Sequence, residues 1–247
     1  MELGEEIKAL DRGTMLSLFR FVLAAAFLLV GSLMADSATS TDRLERVSYL
    51  SEATGKERDY FVYLPRGFED RAHWPVMLFL HGNGERGDGK GDLDWVLMHG
   101  PLYEAWIQKR ELPFVIIAPQ LPIFNQEEIR YIKNRDPAGI PFRQVDGTPA
   151  RPQSFATDAP MNGQLAETSP LPPEGAVEGW SFLENELLGM VDHVLAKYRG
   201  DPSRVYLTGL SYGGYGTWYL AANHPGRFAA IAPVVGHGHV DHALPLA

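Results

Sequence analysis

The stretch Arg204–Trp218, RVYLTGLSYGGYGTW, decides the fold. An apolar strand-like run, Val205 to Thr208, leads into Gly209-Leu210-Ser211-Tyr212-Gly213, and a helical pattern begins at once. GxSxG alone is a weak signal, since many matches are flexible turns. Placed between a buried strand and a helix it reads as a nucleophile elbow, in which the serine takes a strained backbone conformation. Its neighbours two positions away, Gly209 and Gly213, must then lack a Cβ. Ser211 is thereby the candidate nucleophile. The amide of Tyr212, at the start of the helix, is a candidate oxyanion donor because positive partial charge collects there. The bland alternative is a tight strand-to-helix turn with no chemistry.

Working outward, FAAIAPVVG after the helix reads as a further buried strand, so strand, helix and strand make a parallel unit with a right-handed crossover. Upstream, WSFLENELLGMVDHVLAKYRG aligns Phe182, Leu183, Leu187, Leu188, Val191, Val194 and Leu195 on one helical face that ends at Gly200. RLERVSYL and RDYFVYLP, separated by a turn at Gly55, predict an opening hairpin. WPVMLFLHG and LPFVIIAPQ predict two strands buried on both faces, and GDLDWVLMHGPLYEAWIQKR between them predicts a crossover helix. Residues 121–179 break into Pro, Gly, Asn and Asp. A loop of this length is read as a substrate-facing insertion, with a surface excursion as the alternative.

LFLHGNGERG supplies the second constellation. Glycines 82, 84 and 87 allow a loop with exposed amides after an earlier strand, where a second oxyanion donor belongs, and Asn83 is chosen for it, with Gly84 next. His81 reads as a buried structural histidine and Glu85–Arg86 as an ion pair fixing the loop.

The chain has 247 residues, 45% hydrophobic and 21% charged, enough for one α/β domain with short extensions. A net charge of −9 leaves no basic stripe for nucleic acid, and the absence of cysteine excludes a disulfide framework, a thiolate metal site and a cysteine nucleophile. Arg20 followed by the apolar run Phe21 to Val30 and small or apolar residues to Ala35 has the layout of a signal peptide within residues 1–35, implying a secreted or periplasmic protein. A membrane anchor through 16–34 is the alternative, and 36–44 reads as a linker.

Taken together, YFVYLPRGF, PVMLFLHGNGERGD, IIAPQ, Trp180 at the opening of the long helix, and DPSRVYLTGLSYGGYGTW…HPGRFAAIAPVVG resemble the α/β-hydrolase superfamily. Within it they are most similar to secreted esterases and peptidases related to polyhydroxybutyrate depolymerases and feruloyl esterases. The resemblance covers most of 45–236 outside the insertion. It implies a mostly parallel sheet with helices on both faces and hydrolysis of a small-molecule or polymeric ester through an acyl-enzyme. It also implies a histidine base, an orienting acid and no cofactor. The family order places acid and histidine after the serine, on later strands. Here the chain departs from the family pattern near His237, so the reading expects a domain lacking its last strands, with impaired activity and an uncovered apolar edge at AAIAPVV. The tail GHGHVDHALPLA offers Asp241 as a weak candidate acid. A metal site from His237, His239, Asp241 and His242 matches no zinc spacing. A serine peptidase of the same fold and a non-catalytic extracellular binding domain remain the rival functions.

Overall fold

The structure is a computed structural model that describes residues 41–150, 179–242 and 246. The expected signal or anchor segment 1–35, and the part of the insertion at 151–178, lie outside the described residues. Among the described residues no helix is long and apolar enough to cross a membrane.

Six strands form one sheet in the order β1-β2-β4-β3-β5-β6, where β1 is Arg43–Leu50, β2 Glu57–Leu64, β3 Trp74–Leu80, β4 Val115–Ala118, β5 Gly200–Leu210 and β6 Ala230–Val234. β1 and β2 make the predicted antiparallel hairpin, with Gly55 at a φ of 65° donating its N–H to the Ser51 carbonyl. β1 begins at Arg43, inside the segment read as a linker. β2 is antiparallel to β4, and β4, β3, β5 and β6 are mutually parallel. β3 and β5 lie side by side although the chain leaves β3 for β4 on the other side, so their carboxyl ends flank a topological switch, where open α/β sheets hold their ligands.

Both faces of the sheet are covered. On one, Val76, Leu78 and Leu80 of β3 meet Leu187, Met190, Val191 and Val194 of α1 (Glu184–Lys197) and Leu220 and Ala221 of α2 (Tyr212–Asn223). The helical face read from sequence needs one change: Phe182 is largely exposed and Met190 takes its place in the core. Phe182 sits in a 3₁₀ turn, Trp180–Leu183, ahead of α1, and the different twist of that turn rotates it outward.

On the other face, Phe79, Leu93, Val96, Leu102, Ala105 and Ile107 form a second cluster. The expected crossover helix is broken here into a 3₁₀ turn, Leu93–Leu97, and a short turn, Gly100–Leu102, that widens into a π segment, Tyr103–Ile107. Gly100 causes the break: its φ is 76°, and a Cβ there would enter the Phe79 ring.

β6 carries the uncovered apolar edge expected at AAIAPVV and is not buried on both faces: Ala230, Ala232 and Val234 are exposed, and the alternate residues Ile231 and Pro233 are partly covered. Among the described residues β6 is the outermost strand and only its α2 side is packed, so a continuous apolar run ends up half exposed.

Candidate active site

Ser211 stands at the carboxyl end of β5 with φ 54° and ψ −113°, a conformation that a residue with a side chain adopts only when its surroundings impose it. Those surroundings are backbone. A Cβ on Gly213 would overlap the Leu80 carbonyl, and a Cβ on Gly209 would overlap the Gly213 carbonyl. The helix therefore starts against the end of β3 with no room for a side chain at either glycine. Ser211 N–H donates to the Val234 carbonyl at 2.8 Å, tying the turn to β6, and its own carbonyl accepts from Tyr215 N–H at 3.1 Å. The Ser211 hydroxyl makes no capping bond to the helix that follows. Ser211 lines a cavity of about 420 Å³ with Gly82, Asn83, Glu85, His99 and Tyr131.

Tyr212 is the first residue of α2 and Asn83 the first of a 3₁₀ turn, Asn83–Glu85, so neither N–H has an acceptor within its own helix. Tyr212 follows Ser211 in the chain, and Asn83 lines the same cavity as Ser211. The fold is α/β, a mostly parallel mixed sheet covered by helices on both faces with Ser211 at the carboxyl end of β5.

The 82–87 loop is held by buried polar groups. Glu85 is 5% exposed, and its Oε1 lies 2.5 Å from His99 Nδ1. Burial alone would raise the Glu85 carboxyl, but the hydrogen bond from His99, with the His99 charge, holds it below its ordinary value. The same bond raises His99. The expected Glu85–Arg86 ion pair is not what forms. Arg86 points the other way: Nε donates to Asn83 Oδ1 at 2.5 Å and Nη1 to the Pro122 carbonyl at 2.8 Å. Adjacent residues on a tight turn project to opposite sides, so each finds a different partner. Gln120 Nε2 donates to the Glu85 carbonyl, and Arg135 Nη1 donates to the carbonyls of Gly84 and Arg86. Asn83 Nδ2 donates to Gln126 and Tyr131, so the described beginning of the 121–179 segment packs over this loop.

His81 is buried at the base of the loop. Its Nδ1–H donates to the Gly82 carbonyl at 2.6 Å, leaving Nε2 to accept from Leu121 N–H at 2.8 Å. A second proton would meet that N–H head on. Burial is the main force that pushes the imidazole down to about 4, so His81 is a neutral scaffold group.

The tail lies along α2. His237 packs on the Tyr215 ring, Trp218 Nε1 donates to the Gly236 carbonyl, and His242 packs edge-on to Tyr219, two turns beyond Ser211. Asp241 is paired with His239 at 3.2 Å and is 65% exposed, so it is not joined to Ser211. Among the described residues no group of three or more His, Cys, Asp or Glu side chains converges as a metal site. Of the residues around Ser211, His99, Tyr131 and Arg135 were not found by sequence reasoning. They lie 76 to 112 positions upstream with no motif joining them to the serine, and only the position of His99 before a Gly-Pro break hinted at a turn.

A family model described as the prolyl oligopeptidase family matches residues 185–242, which hold α1, the elbow and β6. Over 47 residues the chain is 51% identical to poly(3-hydroxyalkanoate) depolymerase C of Paucimonas lemoignei, and over 57 residues 43% identical to feruloyl esterase B of Neurospora crassa. These matches cover 19% and 23% of this chain and only 11% and 20% of those proteins. Among solved structures, a thermostable esterase aligns over 82% of this chain and 44% of its own, at 24% identity and a TM-score of 0.46. A fluorophosphonate-binding serine hydrolase of Staphylococcus aureus aligns over 80% of this chain and 58% of its own, at 16% identity and a TM-score of 0.44.

Proposed function

We propose that the protein is a serine carboxylic-ester hydrolase with Ser211 as nucleophile. The observation that carries the reading is the backbone of Ser211. Its positive φ is maintained by two glycines that touch neighbouring backbone, in a turn where Ser211 lines a cavity shared with the Asn83 loop. Strain of this kind costs on the order of 1–3 kcal/mol and persists where a function uses it.

In the proposed reaction Ser211 Oγ attacks the ester carbonyl carbon and its proton passes to a base. The amides of Tyr212 and Asn83 receive the carbonyl oxygen as it gains charge. The alcohol leaves with a proton, and water then attacks the acyl-serine to release the acid and restore Oγ–H. Removing one such donor typically costs about 10²–10³ in rate, so most of the catalysis assigned to this site is electrostatic. Among the described residues no acid–histidine pair is hydrogen-bonded to Ser211, and turnover by these residues is accordingly proposed to be slow, with the oxyanion donors supplying what remains.

The substrates proposed are esters of polymeric hydroxyacids or of phenolic acids bound to polysaccharide, following the activities in the names of the two curated relatives. Residues 1–35 are proposed to direct export, by cleavage or as an anchor. A peptidase reading has one observation in its favour, the prolyl oligopeptidase match over 185–242.

Labelling by a fluorophosphonate probe, followed by peptide mapping, tests the nucleophile: the label falls on Ser211 and is lost in Ser211→Ala. A folded protein that stays unlabelled overturns the reading and favours a binding domain. Release of p-nitrophenol from p-nitrophenyl acetate without cleavage of aminoacyl amides selects the esterase over the peptidase.

A further inference from the structure

Arg86 is the largest fully buried side chain in the described residues, and it touches both residues proposed as oxyanion donors. Its Nε donates to Asn83 Oδ1 at 2.5 Å, and its guanidinium carbon lies 5.1 Å from the centre of the Tyr212 ring. Asn83 and Tyr212 belong to different segments, one after β3 and one after β5, and the sheet alone sets their spacing only through backbone. We infer that Arg86 is the positioning residue of the oxyanion hole, one planar cation that holds the Asn83 and Tyr212 amides in register with each other.

The inference rests on the proposed role of Ser211 and goes beyond it, since nothing in the nucleophile assignment requires a side chain that spans the two loops. The chemistry suits arginine. A guanidinium donates in its plane while its face can lie on an aromatic ring, and an ammonium has neither the flat face nor the planar donor set. The planar group is itself fixed, because Nη1 donates to the Pro122 carbonyl and the Arg86 carbonyl accepts from Arg135. Each donor is thereby restrained by a group that is already immobile. That is what stabilising a developing charge without reorganisation demands, because a misplacement of about 1 Å can cost 10²-fold in rate. A buried positive charge behind the two amides also favours negative charge in front of them.

The test uses Arg86→Lys in the full chain and the separate constants for inactivation by a fluorophosphonate. The constant for initial binding reads the ground state, and the limiting rate reads the charge developing on phosphoryl oxygen. The limiting rate is expected to fall 10- to 100-fold with binding changed less than threefold. Asn83→Ala, which keeps the backbone amide and removes the acceptor of Arg86 together with the donor to Gln126 and Tyr131, is expected to give at least as large a loss, and the double variant little more than Asn83→Ala alone. If Arg86→Lys fails to fold, Asn83→Ala carries the test by itself.

Hydrogen exchange gives a readout that needs no reaction. Peptides containing Asn83 and Tyr212 should both exchange faster in Arg86→Lys, or in Asn83→Ala if the lysine variant does not fold. A limiting rate equal to wild type, additive losses in the double variant, or faster exchange at only one of the two segments overturns the inference. Wild-type protein that resists labelling refutes the nucleophile reading instead, and the exchange experiment then decides the role of Arg86 by itself.

Discussion

Two loops meet at Ser211 and are built on opposite principles. The elbow, from Gly209 to Gly214, is shaped by missing atoms: its glycines lie against the Leu80, Gly213 and Val234 carbonyls, and the strained serine is the only outcome that the packing allows. The 82–87 loop is shaped by added atoms, namely the buried side chains of Glu85, Arg86, Gln120 and His81, bonded to the His99 and Asn83 side chains and to backbone. Steric exclusion is insensitive to pH and tolerates no substitution. A polar network tolerates small changes and responds to every proton it gains or loses.

The sharpest way to break this contrast is a methyl group. Gly213→Ala is expected to abolish folding or to cost more than about 4 kcal/mol in urea denaturation, because the overlap is with backbone that cannot turn aside. Gly84→Ala, with open space around the site of its added methyl and an ordinary backbone, should change stability by less than about 0.5 kcal/mol. Equal costs at the two positions would end the distinction.

Acid should act next, through the polar loop and not through the elbow. His81 is neutral in the fold down to about pH 4 but takes a proton near 6.5 when unfolded, so below 6.5 the unfolded chain binds more protons and stability declines until about 4. The expected loss across that window is roughly 3 kcal/mol, read from the urea midpoint at a series of pH values. The slope should flatten in His81→Gln.

Glu85→Leu leaves His99 without its partner and removes a buried acceptor, at an expected cost of about 1–3 kcal/mol at neutral pH. Because the Glu85 carboxyl is held below its ordinary value, this cost is present above about pH 4.5 and vanishes as the pH falls through the folded value. His99→Ala should have the smallest effect, since the imidazole is half exposed and solvent weakens the pair. Its sign runs the other way: a raised histidine stabilises fully below about 6.5 and loses that contribution at alkaline pH, so wild type and variant should converge there in thermal melts.

The elbow was legible in the sequence because its information is local. A buried strand, a serine flanked by glycines two positions away and an immediate helix all lie within Arg204–Trp218, and the structure builds strand, turn and helix there in that order. The hairpin and β3 were legible for the same reason, period-two or continuous apolar runs between turn residues. The crossover helix was not, because apolar spacing could not reveal that Gly100 must sit under the Phe79 ring. The uncovered edge at β6 was anticipated, but the apolar run left open which residues face it: Ala230, Ala232 and Val234 are exposed while Ile231 and Pro233 are partly covered.

The partners of the 82–87 loop show the same divide. Glu85 and Arg86, adjacent in sequence and opposite in charge, read as a pair, yet their side chains leave the turn on different sides and find His99 and Asn83. The sequence by itself determined the strand–turn–helix at Ser211, because glycine spacing and hydrophobic period act over a few residues of one chain segment. Only the tertiary structure decided the electrostatics around that serine. Which charge meets which is set by long-range packing between β3, β4 and β5, and the energy of each pairing depends on a burial that no short stretch of sequence contains.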